Sequence, residues 1–345
     1  MRRYRLATVL ALLGATLVTA MLLGTAFGAV AISPWTFFKM SLGKLGLSFS
    51  GWSAAEETIL FSLRLPRVVG AALVGAALAT AGVLFQGLLR NPMADPYIIG
   101  TSAGAALGAA VALILPLEVA LYGFGLAPLL AFFGALGAVM VVYNLARIGG
   151  RTPIVSVLLA GFAVSSLLFA AIALLMTLND RLQLKVRAVF AFLMGGVSVQ
   201  DWRQIAIVAP LILGGILLAR LYAYRLNAFS LGEEGAAYLG IEVERDKLVL
   251  LAIGSLLTAA AVSLGGLIGF VGLVVPHALR LVLGPDHRLL LPAAALGGAA
   301  FLVLSDLLAR SLLPPTEIPV GIITALIGAP VFIYLLRRHR QEYAF

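Results

Sequence analysis

Residues 62–110, SLRLPRVVGAALVGAALATAGVLFQGLLRNPMADPYIIGTSAGAALGAA, decide how the rest of the chain is read. An apolar run at 68–89 opens behind Arg64, Pro66 and Arg67 and closes at Gln86 and Arg90. It is long enough to cross a bilayer, since a spanning helix needs about 20 mostly apolar residues at about 1.5 Å each. Asn91-Pro92-Met93-Ala94-Asp95-Pro96 follows, and its two prolines forbid a continuous helix and push the residue before each towards extended geometry. A second apolar segment, rich in Gly and Ala, then turns back. The unit is a helical hairpin with a stiff polar elbow at one surface and a cationic collar at the other.

Composition extends this reading to the whole chain. Of 345 residues, 62% are hydrophobic and 11% charged, and the mean hydropathy is +1.08; an average soluble domain is about 25% charged. The net charge of +9 sits largely in arginines at the ends of apolar runs rather than along one face, which argues against a nucleic-acid surface. The absence of cysteine excludes thiolate metal sites and disulfides. The amino terminus, Met1-Arg2-Arg3-Tyr4-Arg5 before an apolar run that reaches Gly24-Thr25-Ala26, has the outline of a secretory signal. Signal cores are about 7–15 residues long, so the longer run at 6–32 reads as an uncleaved first span.

Runs of spanning length lie at 6–32, 65–89, 97–116, 120–146, 153–178, 204–223, 248–268, 289–310 and 318–336, with a shorter one at 270–283. The expectation is an all-α membrane protein, one polytopic bundle of about ten helices occupying 1–345, with both termini on one side. Fifteen of the 24 Lys and Arg then fall on the side of the termini, which places that side in the cytoplasm. Helices inside lipid approach closely only through small residues. Gly70, Gly75, Ala79 and Gly82 in one span, and Gly104, Gly108 and Ala112 in the next, supply them.

Two connections carry their own pattern. Residues 178–203 contain an amphipathic piece at 184–194, either a cap on the bundle or a re-entrant or interfacial helix at an outer vestibule. The longest inner loop, 224–247, is dense in charge of both signs and holds a helix-compatible core at 233–239 between Gly232 and Gly240. A solvated linker has little reason to expose Leu231, Ala236, Ala237, Tyr238, Leu239 and Ile241. A short helix offering them to a partner groove fits better.

Several chemistries are missing. No G-x-x-x-x-G-K-[ST] occurs among the 37 glycines, so any ATP is spent by another subunit. His277, His287 and His339 are too scattered for a metal site, and HExxH is absent. Residues 100–104 match G-x-S-x-G, which with His277 as base raises an intramembrane serine hydrolase; that elbow requires a strand-to-helix turn, and small residues opening a membrane helix explain it as well. An ion-gradient-driven secondary transporter is the stronger alternative, but such carriers hold ionisable groups near the midplane. Here Asp306 is the one acid well inside a run, with Arg310 placed to pair with it one turn on.

RLPR (64–67), GAALVGAALATAGVLFQ (70–86), RNPMADPYIIGTSAGAALGA (90–109), LGEEGAAYLGI (231–241), GLIGFVGLVVPHALRLVLGPDHRLLLP (266–292) and EIPVGIITALIGAPVFIYLL (317–336) together resemble the permease subunits of ABC importers for iron chelates, haem and cobalamin. The resemblance implies the type II importer permease fold, a homodimer in the cytoplasmic membrane, and import of an iron-siderophore, haem or cobalamin. It implies no cofactor on this chain, with ATP and Mg used by partner ATPase subunits, and delivery by a periplasmic or lipoprotein substrate-binding protein. Leu231, Gly232, Glu233, Ala236, Ala237, Leu239 and Gly240 match the segment that seats in the ATPase. Asn91, Met93, Thr152 and Pro153 match the cytoplasmic gate, although Asn-Pro and Thr-Pro are also ordinary turn dipeptides, and Met93 stands where the family's elbow usually has Leu. Arg64, Arg67 and Arg310, at outer span ends, match positions that receive carboxylates of the binding protein; snorkelling at the interface is the plainer alternative.

Overall fold

In a computed structural model of the chain, residues 2–28, 33–44, 51–117, 119–314 and 316–338 are described. His339, Arg340 and the 29–32 end of the first expected span lie outside them. The helices in order are α1 (Arg2–Ala26), α2 (Pro34–Lys44), α3 (Ala54–Thr58), α4 (Leu65–Leu88), α5 (Thr101–Ile114), α6 (Leu126–Ala146), α7 (Ile154–Leu178), α8 (Asp180–Leu184), α9 (Val186–Met194), α10 (Trp202–Leu221), α11 (Ala223–Phe229), α12 (Gly232–Tyr238), α13 (Val243–Gly265), α14 (Val271–Leu283), α15 (His287–Ser311) and α16 (Val320–Arg338). All ten expected spans are among them, and the other six are short connecting helices. No strand occurs among the described residues beyond isolated bridges at 121/124 and 148/151.

The hairpin at 62–110 is longer on one side and shorter on the other than its sequence suggests. Ser53 and Glu56 form a capping box, with the Glu56 N–H on Ser53 Oγ and the Ser53 N–H on Glu56 Oε2 at 2.7 Å. A helix therefore starts at Ala54 and reaches α4 through a π-helical turn, Ile59–Arg64. That turn adjoins Pro66, whose missing N–H breaks the regular ladder. At the other end α4 closes with Arg90 in the left-handed region (φ 49°) and the Asn91 N–H on the Gln86 carbonyl, the bond of a Schellman cap with Arg in the usual Gly position.

The elbow is not confined to a surface. Pro96 lies where a Cβ on Gly272 would meet it, and Gly272 itself abuts Leu78 and Gly82 of α4. Leu78 and Gly82 are about 15 and 9 Å of helix rise from the end of α4, so 91–100 climbs well into the bundle before α5 begins at Thr101. That is why α5 has 14 residues. Residues 266–270 break the α13–α14 pair in the same way and leave α14 with 13. By length and composition, seven helices among the described residues can cross a membrane unaided; α5, α14 and α16 are shorter.

Packing follows the small residues. A Cβ on Gly75 would collide with the Gly298 carbonyl, one on Gly82 with that of Gly272, one on Gly104 with that of Gly134, and one on Gly108 with that of Leu130. These contacts join α4 to α15 and α14, and α5 to α6. The core is α4, α13 and α15: the most apolar stretch of α4 is 83% buried, against 22% for α7. Val155, Leu159, Phe162 and Leu167 of α7 are exposed, as suits a face turned to lipid or to another subunit.

Replacing Gly82 by Val sets a three-carbon branched side chain against the Gly272 main chain, which has no room to yield. We expect a loss of about 1–3 kcal/mol or more, read as a lower unfolding midpoint in detergent, whereas Gly14→Ala, in open space on α1, is neutral or stabilising by up to about 1 kcal/mol.

Candidate functional site

The end of the bundle opposite the arginine-rich loops holds a buried ionic cluster. A helix leaves its last carbonyls without partners, and those of α1 are met by two arginines. Arg64 Nη1 donates to the Thr25 and Ala26 carbonyls at 3.3 and 2.9 Å; Arg310 donates to those of Gly24 and Phe27. Arg310 Nε also donates to Asp306 Oδ2 at 3.1 Å, the pair expected from their i, i+4 spacing. The other Asp306 oxygen accepts Arg67 Nε and Nη2 at 3.1 and 2.9 Å, and Arg67 Nη1 reaches Glu317 Oε2 at 2.8 Å. The cluster ties α1, α4, α15 and the loop before α16 together, beside a cavity of about 520 Å³ that Gln200 and Ser198 also line.

This placement corrects the expectation that all three arginines project outwards. Arg64 and Arg310 are 6% and 5% exposed, because the carbonyls at the end of α1 draw their guanidinium groups inwards. Arg67 keeps a side chain 21% exposed. Glu317 and the α1 carbonyls had no signal in the sequence; they belong to the cluster through tertiary contact alone.

At the arginine-rich end, the elbow is built from side-chain turns. Asn91 Oδ1 accepts the Met93 N–H and Asp95 Oδ1 the Tyr97 N–H, both at 2.9 Å; Thr101 Oγ1 donates to the Pro96 carbonyl at 3.0 Å. Asn91 is half-buried and Met93 exposed. Deeper in, Tyr97 Oη accepts the Ile268 N–H at 3.1 Å and donates to its carbonyl at 3.3 Å, which joins the two irregular stretches. Thr152 is buried and Pro153, the N-cap of α7, exposed. The Thr152 N–H donates to Glu244 Oε2 at 2.8 Å and its carbonyl accepts Lys247 Nζ at 3.0 Å.

The loop at 224–247 is mostly helix. α11 is fixed by Arg225 on Asp246 and by Asn227, which donates to Asp286 Oδ1 at 2.8 Å and accepts the His287 N–H at 2.8 Å. The Arg288 guanidinium, helped by Asn227, holds the Asp286 carboxyl well below the usual carboxylate range. α12 covers 232–238, close to the expected 233–239. Gly232 (φ 93°) and Gly240 (φ 77°) bracket it in backbone that disfavours side chains. Leu231, Ala237, Tyr238, Leu239 and Gly240 are exposed, Tyr238 at 92%. Ala236 is fully buried instead, a correction: it is on the inward stripe of the helix. Glu233, partly exposed, reaches back to the buried Lys247 Nζ at 2.9 Å. The result is a charged face with an apolar crest, the form of a helix that seats in a partner's groove.

Gly100 caps α5 at φ 88° and Gly104 lies against Gly134, so helix entry and packing account for the G-x-S-x-G glycines. Among the described residues no group of three or more His, Asp or Glu is placed to hold a metal ion.

A family model described as the FecCD transport family matches residues 16–338. The cobalamin import system permease protein BtuC of Halobacterium salinarum is 49% identical over 83% of this chain and 75% of its own length. The hemin transport system permease protein HmuU of Yersinia pestis is 41% identical over 88% of this chain and 91% of its own. Among solved structures, an inward-facing metal-chelate type ABC transporter superposes with a TM-score of 0.80 at 30% identity, over 96% of this chain and 99% of that one.

Asp306→Asn leaves Arg67 and Arg310 without their shared counter-charge. Removing one partner from a buried ion pair costs about 3–5 kcal/mol, while Glu317→Gln, at a half-exposed carboxylate, is expected to cost under about 1 kcal/mol; denaturation of the two variants in detergent checks the difference.

Proposed function

Since the chain belongs to the FecCD transport family and is a permease subunit of an ATP-driven importer, we propose that it carries a bulky metal chelate, an iron-siderophore, haem or cobalamin, from a substrate-binding protein into the cytoplasm. The observation that carries this reading is α12, which exposes Leu231, Tyr238 and Leu239 at the arginine-rich end and is joined through Lys247 to the expected gate residue Thr152. ATPase subunits dock on this crest, and this chain hydrolyses no ATP itself.

Two copies form a homodimer with the pathway at their axis, in the cytoplasmic membrane with both termini inside. Met93 and Pro153, the exposed members of the two gate loops, close the path on that side with Asn91 and Thr152 behind them. A binding protein docks on the opposite face, where Arg67 is the arginine still within reach of its carboxylates. Arg64 and Arg310 shape that face from below. Opening and closing of the ATPase pair rocks the two permease halves between outward and inward access, a rigid-body switch that requires no covalent chemistry on the substrate.

Tyr238→Asp with Leu239→Asp places two charges on the crest. Such a change at a docking anchor is expected to weaken association with the ATPase by about 2 kcal/mol or more, read as loss of ATPase co-purification and of ATP-dependent uptake of cyanocobalamin, haemin or ferric siderophore into proteoliposomes, with the chain still folded. Uptake by this chain alone, driven by an ion gradient without ATP, overturns the proposal.

A further inference from the structure

Lys247 lies near the start of α13 with a side chain 4% exposed. Lysine is almost never so buried without partners, and this ammonium uses its three N–H donors on three separate pieces of chain. It donates to Glu233 Oε1 of α12 at 2.9 Å, to Glu244 Oε1 of α13 at 2.8 Å, and to the Thr152 carbonyl ahead of α7 at 3.0 Å. Glu244 completes the ring by accepting the Thr152 N–H on its other oxygen at 2.8 Å. The peptide units on both sides of Thr152 are thus held by one ion-paired unit whose third member belongs to the exposed helix.

The segment leading to Thr152 is stiff. Ile148 and Arg151 exchange both main-chain hydrogen bonds, at 2.8 and 3.0 Å, across Gly149 and Gly150, which both take positive φ. This is the tight hairpin turn that two glycines favour. Pro153 then caps α7 directly. Between Glu233 and the start of α7 the shortest connection runs through Lys247 and this stiff segment.

We propose that Lys247 is a positioning residue that transmits movement of α12 to Thr152 and the first turn of α7, so that the ATPase-contact helix and the inner gate move as one body. The inference rests on reading α12 as the ATPase-contact helix. A lysine that only stabilises the fold would affect yield and melting temperature, leaving the response of the gate to nucleotide intact in every molecule that folds.

The lack of native cysteine makes a single Pro153→Cys a clean reporter of gate exposure to a membrane-impermeant maleimide. The test uses this reporter in the complete complex with its ATPase subunits, with and without a non-hydrolysable ATP analogue, on native and Lys247→Gln backgrounds. With Lys247 present, the labelling rate is expected to change about tenfold between nucleotide states, in the ordinary range of coupling between sites. With Lys247→Gln, the ATPase still co-purifies and hydrolyses ATP, but the two rates become equal. Should Lys247→Gln fail to fold, Glu244→Gln weakens the same ring and is expected to shrink the ratio in the same direction. A ratio that survives in a folded, ATPase-bound variant overturns the inference alone. Failure of any ATPase to associate with the native chain overturns the reading of α12, and the inference with it.

Discussion

The constraint on which the rest depends is that a main-chain N–H or C=O at membrane depth has no water to bond. Two stretches of this chain, 91–100 and 266–270, are not helical where they pass through the bundle, and polar groups in and beside them find individual partners. The Leu264 and Gly265 carbonyls, orphaned at the end of α13, accept the Ser198 and Gly196 N–H groups. The Leu267 N–H goes to the Phe192 carbonyl, and both main-chain groups of Ile268 go to the Tyr97 hydroxyl. Pro276 has no N–H for the Gly272 carbonyl one turn back, and Gln86 Nε2 takes its place at 3.2 Å. A break in one helix is thereby tied to a break in another. The glycines that bring α4 against α14 and α15 make the distances short enough.

Charge is handled in a similar way at the two ends. On one side, guanidinium groups meet the carbonyl end of α1 and share Asp306, so the first helix, mostly exposed along its length, is anchored at its end. On the other, carboxylates and Lys247 lock the loop before α7 to α12 and α13. Neither cluster lies in the middle of the bundle, where a gradient-driven carrier holds its ionisable groups. Among the described residues, the two ion-paired clusters thus sit at opposite ends of the bundle, each tying a helix end or loop to its neighbours.

Much of this was legible in the sequence. The ten apolar runs, the Gly and Ala steps, the i, i+4 spacing of Asp306 and Arg310 and the glycine brackets around α12 are periodicities of one segment, and a single segment's polarity and backbone freedom decide them. The capping box at 53–56 was equally local, yet the arginines and proline at 64–67 concealed it by making the helix seem to begin there. Less legible was the direction in which side chains turn. Arg64 and Arg310 read as outward-facing because each flanks an apolar run, and nothing near them in sequence says that the carbonyls of residues 24–27, at and just past the end of α1, lie opposite. Ala236 read as part of the crest because it is apolar in a charged loop, but helical phase places it beneath.

The sequence by itself determined that the chain is an all-helical membrane protein, where its long apolar helices lie, and which loop carries an apolar crest, because hydropathy and small-residue spacing act along the chain. The tertiary structure alone decided that α5 and α14 start inside the bundle, that Tyr97 serves Ile268, and that Glu233, Glu244 and Thr152 converge on Lys247. Each of these joins residues far apart in the chain, and a hydrogen bond or ion pair of that kind exists only once packing has brought its donor and acceptor within about 3 Å of each other.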